Sequence, residues 1–596
     1  MDQAIATTLI ILCATIVLLI FEVVRIDIAA LLCLLSLGWS GVITPQEAFS
    51  GFSSNAVMAI IAVMILGYGI AKTGLMDRYS ALVLNKVGAS RSKIILIISL
   101  FSGIISAFIQ NVGAAALFLP GIKNIARQSK IPASTLVMPI GFATILGGAI
   151  SMVGSGSLIV VNDLLRSAGI ETYRLFSVAP VGLALLASGI AYFYLFGTRI
   201  LPDRSDQTLL ISDQEKLIEL LNLPNQIWLF KIPPASSIIG RTTEQSGIWD
   251  RYNLHILGLI QGQELQYAPW RESSFQAGQK LAVLGNEESM IRFATHYSLT
   301  REEDDYRFAA LNDPGQAGFA EVIIPHRSEL IGQTIRQYGF RKRYTVEPVI
   351  LFSRGSEIQG DFSDHQLMPG DTLIVHGLWQ HIGALKTGTN FVVTTAFNSE
   401  SKDRSKTMAA VLSFLGAIIL AMTGASIALS FLTSAVAMVL LRVVTIQEAY
   451  QAIEWKVVFL LAGLIPLGVA MQKTGAAAYS AGLFMQLLEG SHPFLLLVAV
   501  SALASLLSLF ISNVGSVVVL TPLVINIALI SGLDPRPLVL LAAVSALNSF
   551  VLPTHQVNAL MMTAGGYRNS DYLKAGGGMS LIFIAVAVTI FYFFYI

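Results

Sequence analysis

Apolar residues crowd the first and last thirds of this chain in runs mostly 16 to 22 residues long. A helix needs roughly 20 such residues to cross about 30 Å of hydrocarbon. The runs fall at 4–22, 27–44, 55–71, 94–110, 112–122, 136–152 and 177–198, then at 407–422, 425–441, 456–472, 494–511, 514–530, 537–552 and 577–596. Between them the pattern changes to short β-rich runs alternating with polar helices. The pattern predicts a polytopic α-helical membrane protein with a soluble α+β insert. Residues 1–200 and 406–596 are the membrane parts. Residues 201–225 form a linker with an amphipathic helix at 209–221, residues 226–298 and 315–390 two small domains, and residues 391–405 a second linker.

The two membrane parts are copies of one unit. VITPQEAFSGF from Val42 matches VVTIQEAYQAI from Val443, and the KTG at Lys72 matches that at Lys473, both 401 positions on. IQNVGAAALFLP, with Asn111 and Pro120, matches ISNVGSVVVLTP, with Asn513 and Pro522, 402 positions on. Their loop charges reverse. Arg25 lies between the first two runs of copy one and the next loop has no Lys or Arg, whereas in copy two the first loop is uncharged and Arg442 and Lys456 follow the second run. Because basic loops stay inside, the expectation is two inverted repeats in a cell inner (plasma) membrane, with the insert cytoplasmic and both termini outside. Duplicated halves of this kind build transporters that open alternately to each side.

A net charge of +1 conceals an uneven distribution: residues 201–406 hold 25 of the 37 acidic and 20 of the 38 basic residues. That leaves the membrane parts almost free of charge outside loops, with the lipid bilayer as partner, and argues against nucleic-acid binding. Only Cys13 and Cys33 occur, both inside apolar runs, so no disulfide or metal framework is available. No nucleophile, metal cage or nucleotide loop is visible, and no cofactor or enzymatic activity is expected.

The insert is duplicated as well. IPPASSIIGRT at Ile232 is echoed by IPHRSELIGQT at Ile324, and AGQKLAVLG by PGDTLIVHG, all 92 positions on. On Ser328, Leu330, Ile331, Gly332 and Thr334, with Pro369, Gly370, Asp371, Leu373, Val375 and Gly377, the second unit resembles the C-terminal lobe of the TrkA/RCK regulators of potassium channels and transporters. The first unit is a degenerate version, with Ala277-Gly278-Gln279 in place of Pro-Gly-Asp. This resemblance implies a homodimer and a small regulatory ligand. The nucleotide-binding lobe of those regulators has no counterpart, since no G-x-G-x-x-G follows a strand here.

Polar groups at mid-membrane depth arise where a helix breaks and its backbone lines a protected cavity. Two pairs of breaks recur at the repeat offset. The first is Gln110-Asn111-Val112-Gly113 and Ser512-Asn513-Val514-Gly515, where Asn and Gly suit a sharp reversal. Such hairpins offer carbonyls and an Asn amide to a hard cation; the alternative is two Asn residues bonding across packed helices. The second pair is Gly154-Ser155-Gly156-Ser157 and the stretch Leu552-Pro553-Thr554-His555-Gln556-Val557-Asn558, where exposed helix N-termini would meet an anion. His555 is the sole basic or acidic side chain between Arg536 and Arg568.

With those motifs, both membrane parts resemble the divalent-anion:sodium symporters and citrate-transporter-like permeases (solute carrier family 13 and relatives), in the bacterial branch carrying two RCK C-terminal domains. The resemblance implies Na⁺ at the Asn111 and Asn513 hairpins (Gln110, Asn111, Gly113, Ser512, Asn513, Gly515). It also implies a small anionic solute, a di-/tricarboxylate or an oxyanion such as sulfate, at Gly154, Ser155, Gly156, Ser157, Thr554, His555, Gln556 and Asn558. The chain departs from the family's Ser-Asn-Thr hairpins at Gln110, Val112 and Val514, and Leu158 replaces the Asn that ends the first unwound segment. The expected function is a Na⁺-coupled symporter regulated by its insert. Proton coupling through His555 is the alternative; an insert-gated channel and a non-transporting sensor are the rivals of another class.

Overall fold

The apolar runs are helical in a computed structural model of the chain. The structure describes residues 2–21, 23–74, 90–129, 131–203, 213–262, 264–303, 305–313, 316–358, 360–387, 389–395, 404–488 and 492–595. The first third holds α1 (Gln3–Ile20), α2 (Ile26–Trp39), α3 (Asn55–Lys72), α4 (Arg91–Ser106), α5 (Asn111–Ser129), α6 (Val137–Gly147), α7 (Gly156–Ser167) and α8 (Ala179–Ile200). The last third holds α9 (Thr407–Met422), α10 (Ile427–Leu440), α11 (Trp455–Lys473), α12 (Ala476–Gln486), α13 (Pro493–Phe510), α14 (Asn513–Ile530), α15 (Pro535–Ser545), α16 (Gln556–Gly565) and α17 (Asn569–Phe594). Residues 1–210 and 402–596 make one compact unit, and 211–401 a second. Among the described residues seven helical stretches are long and apolar enough to span a bilayer.

Four expected spans are cut short. The run at 27–44 is helical only to Trp39, that at 94–110 only to Ser106, that at 136–152 only to Gly147, and that at 537–552 only to Ser545. In the last three the missing part lies at a hairpin turn or at a break, where glycine and polar side chains replace helical hydrogen bonds with tertiary ones. The linker helix expected at 209–221 is seen as Asp213–Leu220 within the described residues.

The duplicated Glu and Lys residues meet across copies. Thr44 and Thr445 each cap a short helix in a capping box, Thr44 with Glu47 and Thr445 with Glu448. Lys72 Nζ donates to Glu448 Oε2 at 2.7 Å, and Lys473 Nζ to Glu47 Oε2 at 2.8 Å. Each Lys ends its helix, α3 or α11, and each Glu precedes the start of the same helix. A helix of that length covers roughly 27 Å. The two ion pairs therefore lie at opposite ends, and α3 and α11 run antiparallel.

The insert contains two five-stranded sheets. The first comprises β1 (Gln226–Lys231), β2 (His255–Gln261), β3 (Glu264–Tyr267), β4 (Lys280–Gly285) and β5 (Thr300–Glu302), in the order β3-β2-β4-β1-β5. The second comprises β6 (Ala317–Ile323), β7 (Glu347–Ser353), β8 (Ser356–Ile358), β9 (Thr372–Leu378) and β10 (Val392–Val393), in the order β10-β6-β9-β7-β8. This is the same antiparallel permutation. Even its irregularity recurs: β2 slips against β4 between Ile256 and Gly258, and β7 against β9 between Pro348 and Ile350.

The two sheets' lobes face each other across a local two-fold axis, because residues 92 apart touch. Arg336 Nη2 donates to Glu244 Oε1 at 3.0 Å. The Arg341 guanidinium lies 4.7 Å from the Trp249 ring centre, and His255 Nδ1 is 3.2 Å from Glu347 Oε1. Glu347 is fully buried, and desolvation alone would raise its pKa. The Arg341 charge, with hydrogen bonds from His255 and Arg341, overcomes this and holds the carboxyl down at about 2. Nearby, burial drives the His376 imidazole down to about 4.

Candidate functional site

The site is built where two hairpins turn and two helices stop. In copy one α4 ends at Ser106 and α5 begins at Asn111; in copy two α13 ends at Phe510 and α14 begins at Asn513. Both Asn side chains are buried. Each Oδ1 accepts from a serine five residues earlier, Asn111 from Ser106 Oγ at 2.9 Å and Asn513 from Ser508 Oγ at 3.3 Å. Ser512 takes φ +136°, a conformation costing on the order of 1–3 kcal/mol for a residue with a side chain. Its Oγ accepts from the Gly515 amide at 3.2 Å and caps α14. Gln110 is half-buried and accepts at its carbonyl from the Ala114 amide, while Gly113 packs beside Ile109.

The first break, between α6 and α7, is folded onto the first hairpin. A Cβ at Gly148 would overlap Asn111 Oδ1, and one at Gly154 would lie 2.8–2.9 Å from the carbonyl oxygens of Gly148, Ser106 and Ala107. Only glycine permits that approach. Ser151 Oγ donates to the Ala107 carbonyl, and Ser155 and Ser157 share a hydrogen bond of 2.9 Å in a buried position. A Cβ at Gly156 would touch Val514 Cγ2 at 3.2 Å, so the first break also meets the second hairpin.

The second break, between α15 and α16, is held by amides. Asn548 Nδ2 donates to Ser505 Oγ at 3.1 Å, and Asn558 Nδ2 to the Ser549 carbonyl at 2.7 Å. Tyr572 Oη donates to the Asn558 carbonyl. The Oδ1 atoms of both Asn548 and Asn558 are buried without a hydrogen-bond partner. A buried acceptor left bare costs about 1–3 kcal/mol, so each of these two oxygens needs a partner that the protein itself does not supply. Thr554 and Gln556 are exposed, and His555 caps α16 by accepting at Nδ1 from the Val557 amide at 3.2 Å. That bond requires the tautomer with Nδ1 unprotonated. His492 makes the same bond to Phe494 at the start of α13, so the contact is a helix cap, here at the edge of the second break.

The first break meets both hairpins, through Asn111 and Val514, and the second break is tied to α13 through Asn548 and Ser505; the breaks begin earlier than their sequence motifs, at Gly148 and Ala546. Sequence reasoning missed Ser106, Ser508, Gly148, Ser151, Asn548 and Ser549. Ser106 and Ser508 recur at the hairpin offset of 402, a signal that was present. The arrangement offers amide, hydroxyl and carbonyl oxygens and no charged side chain. Such a set suits a hard cation better than a transition metal. Among the described residues no cluster of His, Cys, Asp or Glu could hold a metal ion.

The sequence model of the citrate transporter family matches residues 16–544. The chain belongs to this family. It is 31% identical to an uncharacterized transporter of Synechocystis over 98% of this chain and 95% of that one. An uncharacterized transporter of Escherichia coli is 29% identical over 95% of each. A probable sodium/sulfate cotransporter of Chlamydomonas reinhardtii is 22% identical over 56% of this chain and 38% of its own length. As a member of the citrate transporter family, the chain is a multi-pass membrane transporter and not an enzyme. Its hairpins and breaks are the parts of that transporter rich in buried, non-charged oxygen.

Proposed function

We propose that this transporter is a Na⁺-coupled symporter of a small dianion or trianion, either an inorganic oxyanion such as sulfate or a di-/tricarboxylate. The observation that carries the proposal is the pair of buried, partnerless oxygens, Asn548 Oδ1 and Asn558 Oδ1, in a break that Asn548 ties to Ser505 of α13, the helix leading into the Asn513 hairpin. In this reading one Na⁺ sits between the Asn111 hairpin and the Gly148–Gly154 break, and another between the Asn513 hairpin and the Asn548–Asn558 break. The N-termini of α7 and α16 present amides to the anion, and the bound cations offset its charge. The sodium/sulfate relative supports the pairing of ion and cargo.

The two copies act as inverted repeats, a reading supported by the antiparallel α3 and α11 and their crossed ion pairs. Arg91 Nη2 donates to the Gly197 carbonyl at 3.3 Å and Lys574 Nζ to that of Arg199 at 3.1 Å. Basic residues therefore gather where α8 leads into the insert, which favours an insert in the cytoplasm, both termini outside, and residence in the inner membrane. The matching strand permutation supports two RCK-like lobes acting as a regulator; the homodimer and regulatory ligand implied by that resemblance belong to the same reading.

The test is uptake into proteoliposomes of sulfate, succinate and citrate, with a Na⁺ gradient, a pH gradient or neither. Saturable uptake driven by Na⁺ is expected, and Asn111→Ala and Asn513→Ala should each abolish it in folded protein. Uptake driven by the pH gradient alone would favour proton coupling instead, although His555 Nδ1 is already committed to the Val557 amide. Non-saturable flux would point to a channel, and binding without flux to a sensor.

A further inference from the structure

The two copies do not leave their breaks equally covered. Gly113, Ala116 and Pro120 are exposed along one face of α5, and Gln556, Ala559 and Thr563 along one face of α16. Where α13 is exposed it shows Leu495, Leu506 and Phe510, the surface a bilayer asks for. The α5 and α16 faces are small or polar and suit water. Tyr567 Oη, just past α16, donates to the Ser134 carbonyl at 2.6 Å, and Ser134 Oγ to the Pro202 carbonyl at 2.9 Å. These faces therefore lead toward the end of α8 from which the insert departs. The counterparts in the other copies are shut: α7 is buried from Ser157 to Val161, and α14 from Gly515 to Pro522.

A cavity of about 340 Å³ lies on the shut side. One wall is the first turn of α3 with the α9–α10 turn; the other is α7 with the α7–α8 connection, and Met152 of the first break lines it as well. α8 starts beside it at Ala179 and runs 22 residues, roughly 33 Å, before the insert departs, so the cavity belongs to the opposite membrane face. The walls pack into different cores. Ile159 and Leu164 of α7 join the core of α1–α3 and α9–α11, whereas Leu158, Val161 and Leu165 join that of α4–α6 and α13–α17. Helix α7 is the seam between the two.

One carboxylate fastens that seam. The first turn of a helix leaves its amides without partners inside the helix. At the start of α3, Ser54 Oγ takes the Val57 amide, and the Ala56 amide is taken from outside, by Asp163 Oδ2 of α7 at 2.6 Å. Both the charge and the hydrogen bond favour a carboxylate there. The Asp163 side chain is only 9% exposed, and its Oδ1 accepts from Arg166 Nη1 at 2.9 Å. Asn55 Oδ1, next to Ala56, accepts from Ser426 Oγ at 3.4 Å, which ties the α9–α10 turn to the same wall. Among the described residues the Asp163 contact is the one side-chain hydrogen bond that joins α7 to α3, α9 or α10.

We propose that this cavity is the closed passage to the first break from the face opposite the insert's attachment, and that Asp163 is the latch holding its two walls together. Opening the passage parts Asp163 from the Ala56 amide and uncovers the α7 face that carries Ile159. The inference rests on the reading of the first break as part of the cargo site, and on nothing about the coupling ion.

The test is the rate at which a sulfonated maleimide labels single cysteines in the purified full-length chain, with Cys13→Ser and Cys33→Ser as background. The reporters are Ile159→Cys, on the cavity face of α7, and Leu165→Cys, on the face in the other core. Losing a hydrogen bond to a charged group shifts such an equilibrium roughly tenfold or more. Asp163→Ala should therefore speed labelling of Ile159→Cys about tenfold and leave Leu165→Cys unreactive. Asp163→Asn, which can still accept from the Ala56 amide, should give a smaller rise and serves if the alanine variant does not fold. The proposal is overturned if neither variant speeds Ile159→Cys, or if both reporters speed together, which is unravelling of α7 and not the parting of two walls. Failure of the cargo-site reading looks different: Asn111→Ala protein would keep full cation-driven uptake, whatever the labelling rates.

Discussion

Gly148→Ala places a single methyl group against the amide proposed to hold a cation. Built on the present backbone, its Cβ would fall inside contact distance of Asn111 Oδ1 and 3.0 Å from both Cγ and Nδ2 of that side chain. The Gly148 backbone cannot retreat freely, because its carbonyl faces Gly154 at the closest approach a Cβ there would meet. Asn111 must therefore move by something approaching an ångström, well beyond the roughly 0.5 Å within which binding constellations function. Overpacking costs about 1–3 kcal/mol, and the hydrogen bond from Ser106 adds about 0.5–1.5 kcal/mol if it is lost. The protein should still fold, melt several degrees lower, and lose Na⁺-stimulated uptake. Gly482→Ala is the control, since nothing lies within 4 Å of a Cβ there. The assay is a melting curve in detergent with and without Na⁺, followed by proteoliposome uptake. Gly148→Ala protein that melts normally and keeps full Na⁺-driven uptake would refute the cation site at Asn111.

The crossed ion pairs should be unequal. Lys72→Met leaves Glu448 mostly buried, with only 22% of its side chain exposed, and should cost about 1–3 kcal/mol. Lys473→Met, at a pair with side chains 46% and 33% exposed, should cost less than about 1 kcal/mol; equal shifts in melting temperature would contradict this. In the insert, His376 favours the neutral ring, with its pKa at about 4 instead of 6.5, so its contribution is complete above 6.5 and lost as pH falls toward 4. Glu347, at about 2 instead of 4.5, adds a second loss between those values. Hydrogen-exchange protection factors of the insert in the whole chain, with the intrinsic rate at each pH divided out, should fall on acidification from about pH 6.5. His376→Leu, which installs the residue found at the matching Leu284, should delay that onset; an unchanged onset would exclude His376 as its cause.

Much of this architecture was readable before any coordinates. The apolar runs, the doubled motifs and the two insert lobes all rest on local pattern, and the strand permutation repeats as the 92-residue offset implies. The positions of the breaks were harder to read. Helix α6 stops at Gly147, where Gly148 presses against the Asn111 side chain and Ser151 donates to the Ala107 carbonyl, tertiary contacts that do not alter the hydropathy of the run. Asn548 was passed over because it sits in an apolar run, as a neutral amide bonding across helices would. The Glu and Lys of each repeat were visible as a recurrence, but which copy's Lys meets which copy's Glu is a property of the folded unit alone. His555 drew attention by its isolation, and the bond it makes at Nδ1 is a helix cap like that of His492.

The axis of the insert has a consequence for how such a chain can change over generations. Two separate first lobes paired about that axis would set Glu244 against Glu244 and His255 against His255; two second lobes would set Arg336 against Arg336 and bury Glu347 against its twin. Joining the lobes in one chain removed the demand that each surface match itself. A substitution on one side could then be answered by a different residue on the other, giving acid against base, aromatic ring against guanidinium, and imidazole against carboxylate. Each answer made a return to self-pairing more costly, because like charges would have to share a dry interface. The two lobes have become a lock and its key held on one string, and neither can be exchanged with a neighbouring molecule's copy of itself.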